Sequence, residues 1–250
     1  MKAFLVEIRK NKLPQLLLLT FGFSALLLFW MCASYMNAKS EMLATGWDNM
    51  LADLPMLYVI FSPVYLTVLA SQIADVEHKG DALKLLFVLQ PRKQLYHGKL
   101  MLGFMLCLLQ KATELLLMLL VGKLFHFEGP APVGRFLLYF LCCFLVSAGG
   151  YLLQLNLSLR FKNQAIPLCI GIGCALAGLL MTFYSTELTR HLYYWTNYLT
   201  LSLSLMDYNA ADKTYTFIKL AFNPWGLVSV GLWSSLAYAC GRRRMQRKEL

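Results

Sequence analysis

Residues 75–100 read DVEHKGDALKLLFVLQPRKQLYHGKL and join two stretches that are almost entirely apolar. Ten of these twenty-six side chains are Asp, Glu, Lys, Arg or His. Yet Ala82, Leu85, Leu86 and Leu89 fall on one helical face. A short polar turn is enough to join two membrane spans, so a segment of this length reads as an amphipathic helix that docks on something. Leu85, Leu86 and Leu89 would meet the bilayer interface or protein, with Asp81 and Lys84 turned toward water or a soluble partner. Gln90–Pro91 ends the helix, because the residue before a proline avoids the helical region. An interfacial helix that only carries charge remains the plain alternative on the residues alone.

The flanking stretches set the class. The 250 residues are 58% hydrophobic and 14% charged, against about a quarter charged in an average soluble domain. Leu-rich runs of roughly the 20 residues needed to cross hydrocarbon recur along the chain. Six spans emerge, at about 13–36, 54–74, 98–122, 135–158, 165–184 and 220–241. They are helical because backbone groups in lipid must be satisfied within the segment. The expected fold is an all-α polytopic membrane protein forming one transmembrane domain over 1–250. The first span is too long for a signal-peptide core and lacks a small-x-small cleavage site, so it reads as retained. Pro14 and Pro167 fit the first turns of their helices, while Pro63 and Gly149–Gly150 mark candidate kinks.

Charge sets the orientation. Sixteen of the 23 Lys and Arg fall on one side: the N-terminal stretch, residues 75–99, Arg160 with Lys162, and the tail from Arg242. Six fall on the other side, and Lys111 lies within a span. The richer side faces the cytosol, which places both termini and the 75–97 segment there. The net charge of +10 is therefore a membrane-side bias, and nucleic acid is not an expected partner. On the outer side, 37–53 and 123–134 are short links. Residues 185–219 carry Tyr193, Tyr194, Trp195, Tyr198, Tyr208, Tyr215 and Phe217. Rings with polar tips favour the headgroup zone, so this loop reads as interfacial, either a passive anchor or a receiver of an amphipathic substrate.

Within the spans one cluster stands out. Glu114 lies near the middle of span 3, with Lys111 one turn before it and Gln110 beside that. Ionisable groups at this depth are costly and usually face protein or water. Two readings stay open: an i, i+3 pair that neutralises itself, or a polar point on a translocation path or at a subunit interface. Span 5 carries Gly171, Gly173 and Gly178, small residues that let helices approach closely. The seven cysteines lie in apolar stretches without a C-x-x-C pair and read as small buried hydrophobes. His78, His97, His126 and His191 are divided between the two membrane faces, so no metal site is expected. Catalytic signatures and a G-x-x-x-x-G-K-[ST] phosphate loop are also missing, so an ATP-driven role needs a separate nucleotide-binding chain.

The order Glu77, Leu85–Leu86, Leu89-x-Pro91-Arg92, Leu95–Tyr96 and Gly98–Lys99–Leu100 resembles the first cytosolic loop of ABC-2-type transporter permeases. Glu7-Ile8-Arg9-Lys10-Asn11-Lys12, ahead of span 1, is similar to that family's amphipathic elbow. Within the family the chain looks most like the small permeases of lantibiotic-immunity and bacitracin-resistance exporters. The resemblance implies that Glu77 to Gln90 form a coupling helix seated in an ATPase groove. Its ATPase-coupling residues would be Glu77, Asp81, Lys84, Leu85, Leu86, Leu89, Pro91 and Arg92. Gly80, a poor helix former by about 1 kcal/mol relative to Ala, marks a bend or the helix start. The chain itself would hold no cofactor, ATP and Mg being bound by two cytosolic ATPase subunits. A second permease, identical or paralogous, would complete a transporter in the bacterial cell membrane. Its cargo would be an amphipathic peptide antibiotic, with a lipid or small drug as alternatives. A membrane-embedded enzyme or a scaffold without ATP coupling is the rival from another class.

Overall fold

The computed structural model describes residues 7–36, 38, 40–78, 92–184, 192–209 and 214–247. Asp81, Lys84, Leu85, Leu86, Leu89 and Pro91 lie outside the described residues, as do the side chains of Glu77 and Arg92.

Helix α1 (Leu13–Tyr35) is followed by the short α2 (Ser40–Ala44), then α3 (Gly46–His78), α4 (Arg92–Leu124), α5 (Val133–Ser158) and α6 (Ala165–Tyr184). All but α2 are long and apolar enough to cross a membrane. Helix α8 (Pro224–Arg247) stands where the sixth span is expected. Its Ser229, Ser234 and Ser235 and its basic end, Arg242 to Arg244, make it less apolar, and it is not among those five. Leu18, Phe29, Leu116, Leu176 and Leu232 are among the large apolar side chains exposed on the outside of the bundle. An apolar surface of that extent belongs in lipid.

Helices α3 and α5 form the centre, whereas α1 and α6 turn most of their side chains outward. Helix α3 packs on α5 and α6, α4 on α1 and α5, and α8 on α5 and α4. Lipid tails are as apolar as leucine, so small residues and polar contacts decide which faces meet. Gly171 and Gly178 of α6 give that opening, against Thr67 and Val59 of α3. Both kink candidates lie inside continuous helices, Pro63 in α3 and Gly149–Gly150 in α5. A Cβ at Gly149 would meet the hydroxyls of Ser234 and Tyr194, and one at Gly150 would meet the Trp195 ring at 2.6 Å. These glycines are needed for close approach.

One expectation is corrected in the outer loop. Tyr194, Trp195, Thr196, Asn197 and Tyr198 do not lie along the interface but are buried within the bundle. They form a 3₁₀ turn (Tyr194–Thr196) and the short α7 (Asn197–Thr200). Tyr194 donates to Val146 O at 2.6 Å, and Tyr198 shares a hydrogen bond of 2.9 Å with Ser147. An aromatic ring with a polar tip is as well served by a buried partner as by a headgroup, and here the partners are the α5 backbone and a serine. Among the described residues, the loop adds one small hairpin to an otherwise helical chain, as expected of an all-α membrane protein. Strands β1 (Ser204–Asn209) and β2 (Thr214–Lys219) pair antiparallel, with Ser204 opposite Lys219 and Asn209 opposite Thr214. Of the cysteines, Cys107, Cys142 and Cys143 are buried, while Cys169 and Cys240 face outward.

Candidate functional site

Among the described residues, ion pairs organise the bundle at three levels. The deepest joins Lys111 and Glu114 on α4, whose i, i+3 spacing puts them on one face. Lys111 Nζ donates to Glu114 Oε2 at 2.7 Å, and Tyr58 of α3 donates to the same oxygen at 2.8 Å. The Lys111 ammonium also lies 3.7 Å from the centroid of the Tyr58 ring, a distance at which the ring face attracts a cation. Glu114 is 0% and Lys111 2% exposed. Gln110, one turn back, is buried too, and its Oε1 and Glu114 Oε1 have no hydrogen-bond donor among the described residues. The cluster faces Tyr58 inside this chain, where the two charges neutralise each other, and a charge left open to lipid is costly.

The second pair closes the end of the bundle that the charge count places in the cytosol. Glu7, in the elbow, accepts from Lys10 at 3.1 Å and from Lys99 at 3.2 Å. Asn11 Nδ2 donates to Glu7 O at 2.9 Å and to Glu7 Oε2 at 3.3 Å. Lys99 Nζ also donates to Ile73 O at 2.8 Å, and the Lys99 carbonyl accepts from Tyr151 at 2.9 Å. Lys99 is 0% exposed and Glu7 1%. One ammonium thus binds the elbow to α3 and α4, the two helices that flank residues 79–91. Nearby, Tyr96 donates to Asn156 Oδ1 at 2.9 Å, Asn156 Nδ2 donates to Ala237 O at 2.8 Å, and His97 meets Tyr238 at 2.9 Å. These contacts bring α8 into the same assembly.

The third pair lies at the opposite end. Arg135 of α5 binds Asp48 of α3 at 2.7 Å and Leu203 O at 2.6 Å. Ser204 Oγ donates to Asp48 O at 3.4 Å. The two-pronged guanidinium pins the start of the hairpin to two central helices. Arg135→Ala is expected to cost about 1–2 kcal/mol, since the pair is partly exposed and screened. It should also speed trypsin cleavage within 204–219 by roughly tenfold, because the hairpin opens locally more often. A time course of limited proteolysis checks both the site and the rate.

Of the Lys111, Glu114 and Gln110 cluster that the sequence singles out, the structure pairs Lys111 with Glu114 and buries Gln110 one turn away. The sequence reading did not assign roles to Glu7, Lys99, Asp48, Arg135 or Tyr58. The first two carried a usable signal, being opposite charges at the mouths of spans on one membrane face. Among the described residues no group of three or more His, Cys, Asp or Glu is placed to hold a metal ion.

Long apolar helices with exposed leucine faces, enclosing ion pairs between them, define a multi-pass membrane protein. The family model described as ABC-2 family transporter protein matches residues 3–178. The chain belongs to that family and is a permease subunit of an ABC transporter, a class that works with an ABC ATPase subunit. The match covers the elbow, α1 to α5 and most of α6, and leaves out the buried aromatic segment, the hairpin and α8. No curated protein and no solved structure matches the chain.

Proposed function

We propose that this permease exports a membrane-active, amphipathic peptide antibiotic from a bacterial cell membrane and so confers immunity or resistance. In this reading α8 is a sixth span, both termini face the cytosol, and residues 75–97 couple the chain to an ATPase. Two permeases and two ATPase subunits make the working unit. ATP and Mg are bound by the ATPases, and this chain catalyses no reaction of its own.

The observation that carries the coupling reading is the Glu7–Lys99–Ile73 contact. A coupling element must pass its movement to the spans. Here both helices leading into residues 79–91 are held to the elbow by one buried ammonium. The export reading draws on the outer hairpin, whose Leu205, Met206 and Ile218 are exposed and suit an amphipathic cargo.

Co-expression with a candidate partner ABC ATPase, with purification through a tag on this chain, tests the coupling. The ATPase is expected to co-purify with the wild type and to be lost, or left unstimulated by candidate peptides, when Glu77, Leu85 and Leu86 are changed to Ala. A well-folded wild type that retains no ATPase overturns the reading.

A further inference from the structure

At the end of the bundle assigned to the outside, a cavity of about 480 Å³ lies between the start of α3, the last turn of α4 and the link to α5. That volume is within the roughly 300–1,000 Å³ typical of small-ligand sites. Trp47, Leu119, Phe127, Ala131 and Val133 line it, and its polar lining groups are Lys123 and His126.

The walls are built with care for shape. The Trp47 ring packs edge-on against Phe127 at 5.2 Å and Phe136 at 5.9 Å. It also covers Gly122, where any Cβ would strike the indole. His126 sits at φ 54° and Gly129 at φ 76°, so the link bordering the cavity turns twice through the left-handed region. A non-glycine residue there is uncommon.

Trp47, 8% exposed, gives the wall an apolar aromatic face. Lys123 and His126 at the rim add a cation and a ring able to donate, while Glu128, in the same link, is not part of the lining. The surroundings are apolar as well: Val133 of the wall and Leu120 and Leu124 of α4 are exposed, continuous with the lipid-facing surface.

We propose that this cavity binds a single-chain membrane amphiphile with an anionic end. The carboxylate or phosphate meets Lys123 and His126, and the hydrocarbon lies against Trp47, Phe127 and Val133. The site is independent of the ATPase and of the peptide cargo, so it stands or falls apart from the transport reading.

The test uses the full chain in lipid nanodiscs and three photoactivatable probes of equal chain length: a fatty acid, a lysophosphatidic acid and a fatty alcohol. Mass spectrometry then locates the adducts. One or both anionic probes are expected to label residues 119–133, and the arm that labels better identifies the head group. The alcohol should label there roughly tenfold less, as should either acid on Lys123→Gln/His126→Gln, the size of effect expected for losing a charge-assisted contact. Ala131→Trp, which fills the cavity without touching the charges, should lower labelling by all probes. Melting curves confirm that each variant is folded. Equal labelling by alcohol and acids, or acid labelling unchanged in the folded variants, means ordinary surrounding lipid and overturns the proposal.

Discussion

Glu114→Gln is expected to lower stability by about 3–5 kcal/mol, the cost of leaving one partner of a buried pair uncompensated. The substitution keeps shape and an acceptor for Tyr58 and Lys111, so packing changes little and the lost charge dominates. Lys111 then sits as a buried cation with only a neutral oxygen and the Tyr58 ring for company. The double variant Lys111→Met/Glu114→Leu should recover most of the loss, because a buried pair replaced by apolar groups of similar volume is often neutral or stabilising. Tyr58→Phe should fall between, at about 1.5–3 kcal/mol for a hydrogen bond to a charged group. Thermal melts of the detergent-purified variants give the order. Transport by the double variant then assigns the pair: retained activity makes it a structural pin, and lost activity in a stable protein puts it on the path.

Lys99→Met should have an effect of similar size with a different readout. Glu7 would keep Lys10 and Asn11 but lose its buried partner, and Ile73 O would lose its donor. Stability should fall by about 3–5 kcal/mol. Peptide-stimulated ATP hydrolysis should fall further, roughly 10- to 100-fold, as expected if a contact worth about 1.5–3 kcal/mol holds the elbow and both helices in one position. Basal hydrolysis by the ATPase should survive, because no residue of its own site is touched. Glu7→Gln should be milder, since the amide oxygen still accepts from Lys99. Basal and stimulated rates measured side by side in lipid separate lost coupling from lost assembly.

Much of this architecture is legible in the sequence because lipid imposes a simple rule. Leu13–Tyr35 and Ala165–Tyr184 are apolar all round, and such runs have no alternative to a helix. Helices α3 and α4 are harder to bound. Each runs past its expected span, α3 into Trp47 and Asp48 and α4 into Tyr96 and His97, where polar side chains find partners within the protein. The aromatic segment 194–203 was misplaced for a physical reason. Tyrosine hydroxyls satisfied by Val146 O and Ser147 leave no mark on local composition, and the glycines that admit the rings read as kinks. The hairpin escaped because SLMDYN lacks a clean apolar–polar alternation, which left the alternating TYTF of its partner strand without a visible mate. Lys111 and Glu114 were legible because a charge inside a span is conspicuous, whereas Lys99 and Glu7 blended into the basic end of the bundle.

The central claim is that residues 75–97 meet a separate ATPase on the side opposite the hairpin. A photo-crosslinking amino acid placed at Leu86 in one preparation and at Leu205 in another, each co-expressed with the ATPase in intact cells, tests it directly. The account predicts a covalent adduct with the ATPase from position 86 and none from position 205. An adduct from position 205, or no adduct from position 86 in a complex that still co-purifies, would contradict it.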